Sequence, residues 1–334
     1  VSKNITVLGG GAWGTAVAKV LAENGNNVLL WCFEKEVASV IRLEQINAQY
    51  LPEVSLPENL ISTTDMKEAI SHADIIFEAV PVKFLRSVLE LSRPFITKEK
   101  AWCTLSKGIE QETLFLPSQI IDDVFGFSLN QASLGGPNFA HEVAAKEKSG
   151  TVVASSDKAF AQEICELVAN DYFKPYLSDD VIGVQVGGAF KNVLAILIGM
   201  SIGAKLKEDP KVLLLNRGIM EMSFISEQLG GKRETVFGLS GLGDLMLSVL
   251  DCEARNCKFG LRIGSGEKFE DIKIEIPVLP EGVNSTHSMF ALIKKHGWDL
   301  PVCNGVYEVL FAHKTLNDVL NAIIQQPLSY EVVK

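Results

Sequence analysis

The chain has 334 residues, a formal net charge of −10, 47% hydrophobic residues and 22% charged ones. Its length exceeds one ordinary domain and points to two, and the composition is that of a soluble globular protein with ample material for a core. The acidic balance excludes a general nucleic-acid binder, which needs a basic face, but leaves room for an anionic small molecule held by a few local cations. Six cysteines, at 32, 103, 165, 252, 257 and 303, form no C-x-x-C pair. They read as reduced thiols of a cytoplasmic protein rather than a disulfide framework. Cys252 and Cys257 lack the further ligands of a zinc site, so no metal is expected. "VSKN" runs directly into a strand, which leaves no room for a signal peptide. No stretch is expected to reach the length of an apolar membrane span.

From the N-terminus, the strand-like runs ITVL at 5 and NVLLW at 27 flank the helix-like AWGTAVAKVLAENG. Further strand-like runs follow at 73 (ADIIFEAVP), 101 (AWCTLS) and 132 (ASLGG), with VKFLRSVLELSRPF as a helix among them. GTVVASS at 150 extends the series. Strands alternating with helices predict a parallel sheet covered on both faces. After residue 185 strand signals become sparse, and VGGAFKNVLAILIGMSIGAKL and LLLNRGIMEMSFISEQLGG carry long helical periodicity. The fold class is therefore α/β: a Rossmann-type doubly wound sheet over 1–185, followed by a mostly α-helical domain over 186–334.

Gly9, Gly11 and Gly14 form G-x-G-x-x-G between the first strand and a helix that begins near Ala12 and Trp13. The first glycine permits the tight turn, the second lets a pyrophosphate approach the backbone, and the third lets the helix pack on the strand. Free amides at the helix N-terminus then bind phosphate. An acidic residue about 20 positions on bonds the free ribose hydroxyl of NAD, whereas arginine accommodates the NADP phosphate. Glu34 stands at that spacing, and Cys32 and Phe33 precede it with no arginine. Both NAD and NADP stay open, with a lean to NAD.

Lys107 in SKGIE and Gly136 with Asn138 in GGPNFA each follow a strand, where an α/β sheet presents ligand contacts. In GGAFKNVLAI, Lys191 and Asn192 lie among small and apolar residues. Such surroundings disfavour the ammonium and tune it for proton transfer, although a lysine snorkelling from a helix end has the same pattern. GLSGLGDLMLS sets Asp244 and Ser248 one helical turn apart after three glycines; taken by itself, Asp244 reads as a helix cap. Arg255 and Asn256 follow, the arginine suited to a phosphate.

Together these segments resemble the bacterial NAD(P)-dependent glycerol-3-phosphate dehydrogenases, end to end and in the family's order: GGGAWGTAVA, SKGIE, GGPNFAHEVA, GGAFKNVLAI, NRGIMEM, GLSGLGDL, RNCKFG and PEGVNST. The resemblance implies reversible reduction of dihydroxyacetone phosphate to sn-glycerol 3-phosphate for phospholipid synthesis, and a homodimer. It implies Lys191 as the proton-transfer residue, with Lys107 and Asp244 in the catalytic group. Lys107, Gly136, Asn138, Asn192, Asp244, Ser248, Arg255 and Asn256 would contact substrate, Arg255 at its phosphate. Trp13, Ala140, Leu279 and Glu281 would join the glycine turn, Lys107 and Arg255 around the cofactor. Asn138 and Ala254 depart from common serines of the family, and Ser248 from a threonine. The rival readings are another two-domain dehydrogenase acting on β-hydroxyacids or hydroxyacyl-CoA, for which His141–Glu142 is the adjacent pair, and a non-catalytic dinucleotide sensor.

Overall fold

The computed structural model describes residues 2–276, 278–327 and 331. They form two compact units, one running to Lys107 and resuming over Pro117–Val181, the other made of Gly108–Leu116 and the chain from Ile182 onward. The first unit contains β1 (Asn4–Leu8), α1 (Ala12–Glu23), β2 (Asn27–Trp31), α2 (Lys35–Glu44), β3 (Ile46–Asn47), β4 (Leu51–Ser55), β5 (Leu60–Thr63), α3 (Met66–His72), β6 (Ile75–Glu78), α4 (Val82–Ser92) and β7 (Ala101–Thr104). It continues with α5 (Pro117–Phe125), β8 (Asn130–Gly135), α6 (Ala140–Ala144), β9 (Ser149–Ala154), α7 (Lys158–Val168) and β10 (Phe173–Ser178).

Eight strands make one sheet in the order β10-β9-β8-β7-β6-β1-β2-β5, while β3 and β4 form a separate hairpin. Helices cover both faces, so β6 (IIFE) is buried along its whole length and β1 is buried after Asn4. The order reverses at β1, whose neighbours are β2 and β6, and ligands of open α/β sheets bind at the carboxyl ends of the strands at such a point. The six strands from β5 to β8 run parallel as expected. The expectation of a wholly parallel sheet is corrected at one edge, where β9 pairs antiparallel to β8 and β10 follows β9. There α6, only 5 residues long, turns the chain back rather than carrying it across the sheet. β10 was not expected, because it is an edge strand with exposed residues and a proline and lacks the buried run of a central strand.

The second unit contains α8 (Val181–Gly203), α9 (Glu208–Gln228), α10 (Asp244–Val249), α11 (Arg255–Gly264), α12 (Phe269–Glu275), α13 (Glu281–His296), α14 (Pro301–Phe311) and α15 (Leu316–Ile324). A helix that is apolar all round belongs inside a core, and α8 is buried over most of its length. By length and composition α8 could cross a membrane, against the expectation that nothing reaches that length, but 83% of its apolar window is buried within the protein. The helix pair α8/α11 packs backbone to backbone. A Cβ at Gly199 or Gly203 of α8 would come within 2.1 Å of the Cys257 or Leu261 carbonyl oxygen, and one at Gly260 or Gly264 of α11 within 2.0 Å of Ile196 or Met200. Glu221 of α9 accepts the Val302 and Cys303 amides at 2.9 and 2.8 Å, so a side chain from another helix caps α14.

One cysteine expectation is corrected here. Cys252 and Cys257 are joined as a disulfide, with Cα atoms 5.1 Å apart. The start of α11 curls the chain enough to bring two cysteines five positions apart within bonding range. Cys32, Cys103, Cys165 and Cys303 are free and buried.

Candidate active site

In the first unit the glycine turn follows β1. Gly9 has φ +117°, a left-handed backbone that disfavours any side chain, and a Cβ there would lie 2.8 Å from the Ala79 carbonyl oxygen at the end of β6. A Cβ at Gly14 would meet the Gly9 carbonyl oxygen at 2.0 Å, so α1 rests directly on the turn. Around Gly11 there is open space. Gly11 also caps α1 without a side-chain bond, and no acidic residue occupies the first turn. The amide end of α1, starting at Ala12, is thus left to an outside anion. The Trp13 indole N–H has no partner among the described residues. Open space at Gly11 and uncommitted amides fit a dinucleotide pyrophosphate.

Two residues of the β3–β4 hairpin escaped sequence reasoning. Asn47, on the β3–β4 hairpin, donates to the Gly10 carbonyl and to the Thr15 hydroxyl, both at 2.8 Å. Tyr50 donates to Glu34 at 2.9 Å, fixing the carboxylate that precedes α2. Burial first, and then the bond to Glu34, pushes the Tyr50 phenol above its ordinary range. Of the two positions where arginine would serve NADP, Phe33 is exposed, whereas Cys32 is buried against Gly10.

Lys107 follows β7 and donates to the Gly136 carbonyl at 3.3 Å. Asn138 donates to the Gly150 carbonyl at 2.9 Å while its own side-chain oxygen is unbonded among the described residues. Ala140 opens α6. His141 is exposed and stacks on Phe139 with ring centres 5.6 Å apart; no hydrogen bond joins it to Glu142 among the described residues. Beneath the strand ends, Glu78 is fully buried and accepts the Val80 amide at 2.5 Å and the Ser106 and Thr104 hydroxyls at 2.6 and 2.8 Å. Burial pushes its carboxyl up to about 7, the three donors pulling the other way. The sequence showed it only as the sixth residue of the strand-like run ADIIFEAVP.

In the second unit, Lys191 lies on α8 with its ammonium 2.9 Å from the Asp244 carboxylate and 3.0 Å from the Ser248 hydroxyl. The side chains of Lys191 and Asp244 are 13% and 3% exposed. In place of purely apolar surroundings, the lysine has an ionic partner. The reason lies one turn earlier on the same helix face. A Cβ at Gly187 would come 2.7 Å from the Ser240 carbonyl oxygen, so α8 touches the glycine-rich turn and the next helical turn brings Lys191 to α10. Of the glycines of GLSGLGD, Gly241 is the one that lies against α8, its Cα 3.0 Å from where a Gly187 Cβ would stand. Asp244 opens α10 but makes no cap of it; Gly243 is the cap residue and has no side chain to offer.

Asn256 donates to Asn192 at 2.9 Å and accepts the Gly282 amide at 2.9 Å, tying α8, α11 and α13 together. Glu281 opens α13, and Leu279 packs on the core of this unit. Arg255 is exposed at the first position of α11 and makes no hydrogen bond or ion pair among the described residues. A cation at the positive end of a helix is unfavourable unless an anion joins it.

The glycine turn on a doubly wound sheet, together with a buried lysine–carboxylate–hydroxyl set on a helical unit, defines a dinucleotide-dependent dehydrogenase. Family models described as the N-terminus and C-terminus of NAD-dependent glycerol-3-phosphate dehydrogenase match residues 4–161 and 180–321. The chain is 38% identical to glycerol-3-phosphate dehydrogenase [NAD(P)+] of Corynebacterium aurimucosum over 323 residues, 96% of this chain and 97% of the relative. It is 35% identical to the Bacillus subtilis enzyme of the same name over 332 residues, covering 99% and 96%. The crystal structure of glycerol-3-phosphate dehydrogenase from Coxiella burnetii superposes with a TM-score of 0.90 at 32% identity, covering 97% and 99%. The chain belongs to the NAD-dependent glycerol-3-phosphate dehydrogenase family and is an NAD(P)-dependent oxidoreductase.

Proposed function

We propose that the chain catalyses reversible hydride transfer between NAD(P)H and dihydroxyacetone phosphate, giving sn-glycerol 3-phosphate. The observation that carries this reading is the Lys191 ammonium held between Asp244 and Ser248. The nicotinamide, when bound, supplies hydride to the ketone carbon. The carbonyl oxygen then gains negative charge and needs a proton, which Lys191 gives from its Nζ. Asp244 holds the ammonium in place and Ser248 fixes its direction. Lys107 and Asn192 stabilise the alkoxide as it forms. Arg255 anchors the substrate phosphate with Asn256 beside it, and anchoring remote from the reacting carbon sets orientation. Gly136 and Asn138 complete the substrate contacts, and Ala140, Leu279 and Glu281 those to the cofactor.

Dinucleotide binding is assigned to residues 1–185 and proton chemistry to 186–334. Glu34, held by Tyr50, favours NAD. Cytoplasmic location, a homodimer and supply of product to phospholipid synthesis belong to the same reading and rest on the family resemblance. That no hydrogen bond joins His141 to Glu142 among the described residues disfavours a hydroxyacyl-CoA substrate, and the intact Lys191 set disfavours a non-catalytic sensor.

The test is loss of NADH or NADPH absorbance with dihydroxyacetone phosphate, with unphosphorylated dihydroxyacetone in parallel. Replacing Arg255 by Leu removes a charge-assisted contact of about 1.5–3 kcal/mol, roughly ten- to a hundredfold in kcat/KM for the phosphorylated ketone. Equal losses on both ketones would remove Arg255 from the phosphate site.

A further inference from the structure

The disulfide between Cys252 and Cys257 closes a loop that contains Arg255 and Asn256. Its two ends differ. Cys257 is fully buried, and its carbonyl lies against Gly199 of α8, so α11 is pinned from that residue onward. Cys252 is partly exposed, precedes the helix, and has φ 50°, a left-handed conformation that a non-glycine residue rarely keeps unless something holds it. Between them Ala254 is the cap residue of α11 and provides no side-chain bond to the first amides. Asn256 is tied to Asn192 and Gly282, but Arg255 has no protein partner among the described residues. The covalent bond is thus what holds the entry to α11 where a capping hydroxyl is missing.

We infer that Cys252 and Cys257 form a reversible thiol–disulfide modification site that sets affinity for the phosphorylated substrate by ordering the helix start that presents Arg255. This inference rests on the role proposed above for Arg255. The oxidant is a low-molecular-weight disulfide. The partly exposed Cys252, as thiolate, attacks it, releasing one small thiol. Cys257 loses its proton and attacks the mixed disulfide at the Cys252 sulfur, releasing the second. Two protein thiols are oxidised and one small disulfide becomes two thiols; a dithiol reductant reverses the sequence.

The other cysteines do not compete. Burial pushes the Cys165 thiol up to about 11 and Cys32 to about 12, and holds Cys103 and Cys303 well above the ordinary range, so thiolate is scarce at all four.

The experiment uses the full chain in two states, after oxidised glutathione and after dithiothreitol. Thiols are titrated under denaturing conditions, and peptides are mapped without reductant. The expected result is four thiols in the oxidised protein, the number of free cysteines, and two more on reduction. Reduction should raise KM for dihydroxyacetone phosphate by about fivefold, the scale of one missing helix cap (about 1 kcal/mol), with KM for NADH and kcat little changed. Cys252→Ser should behave as the reduced protein in both conditions. Cys252→Ser with Ala254→Ser, which supplies a capping hydroxyl, should recover affinity. Six thiols after glutathione treatment would overturn the site. So would an unchanged KM once the bond is shown broken, or a matching rise in KM for NADH, which would signify general loosening. Calorimetric binding of glycerol 3-phosphate in both states gives a readout free of turnover: absent turnover with redox-dependent binding would sink the reaction assigned above and leave this inference standing. Redox-independent binding would sink the inference alone.

Discussion

The glycine turn of the first unit and the lysine centre of the second are made of opposite materials. The turn works by missing atoms: Gly9 and Gly14 touch backbone where a methyl group would fit badly, Gly11 leaves space, and the groups on offer are amides that cannot be substituted away. The lysine centre works by present atoms, an ammonium, a carboxylate and a hydroxyl contributed by α8 and α10 and kept nearly dry. A backbone site is rigid and indifferent to pH, as suits a cofactor recognised by its pyrophosphate. A site that must move a proton needs a titratable group, and a buried one needs a partner. The first kind should therefore fail when atoms are added, and the second when charge is removed at constant volume.

Lys191→Met gives the largest effect expected. It keeps the stem volume and removes the proton donor, so kcat should fall by roughly 10²–10⁴-fold, the scale of general acid–base catalysis. NADH binding, followed by fluorescence, should be unaltered. The substitution also strands the Asp244 carboxylate in a buried place, with a stability loss of about 3–5 kcal/mol. Adding Asp244→Asn should return most of the melting temperature and none of the kcat. Recovery of both would mean the pair is a structural ion pair, and the contrast between the two sites would collapse.

Glu78 tests the contrast from the other side, as a titratable group inside the backbone-built unit. Its folded-state carboxyl is raised from 4.5 to about 7 by burial. Between those values the folded protein keeps a proton that the unfolded chain has released, so stability falls as pH rises through this window and the full penalty stands above about 7. The expected penalty is about 3 kcal/mol. Glu221, raised to about 7 by the same cause, adds a similar slope from the second unit. Glu78→Gln should flatten the denaturant-derived stability profile across this window. An unchanged profile would locate the pH dependence elsewhere.

Gly14→Ala and Gly11→Ala separate packing from ligand space. The first forces a methyl carbon toward the Gly9 carbonyl oxygen at 2.0 Å, a strain of about 1–3 kcal/mol that should lower both melting temperature and NADH affinity. The second meets no protein atom and should leave melting unchanged while weakening NADH. Full NADH affinity in Gly11→Ala would mean that the pyrophosphate passes elsewhere.

What the sequence made legible follows from the same contrast. A missing side chain is written in the residue type, so the turn at Gly9, Gly11 and Gly14 could be read directly, and so could the strands buried on both faces. Lys191 could be singled out, but its relation to Ser248, 57 residues away, depends on α8 meeting the glycine-rich turn at Gly187 and leaves no local period. Asn47 reaches the turn across 37 residues from a hairpin whose first strand has two residues, too short to register as an element. Glu78 is the converse case. Its neighbours read as a buried strand, and the rule that charges avoid such strands gave no hint of the three donors waiting for it. The Cys252–Cys257 bond was hidden for another reason: spacing alone does not report the curl of the chain at the start of α11.

The smallest effect concerns how Glu34 is held, and it tests whether a side chain can sharpen recognition at a site otherwise made of backbone. Tyr50→Phe removes the hydroxyl that bonds Glu34 at 2.9 Å and keeps the ring. One hydrogen bond to a charged group at a partly exposed position is worth about 1 kcal/mol or less, so the ratio of kcat/KM for NADH to that for NADPH should drop no more than about fivefold. The loss should fall on NADH, because a wandering Glu34 grips the ribose hydroxyls less well, while NADPH gains slightly from weaker repulsion of its phosphate. Phe33→Arg should add to the shift from an exposed position, whereas Cys32→Arg should chiefly damage the turn, since Cys32 is buried against Gly10. An equal decline with both cofactors in Tyr50→Phe would show that the phenol supports the hairpin carrying Asn47 and has no part in choosing the cofactor.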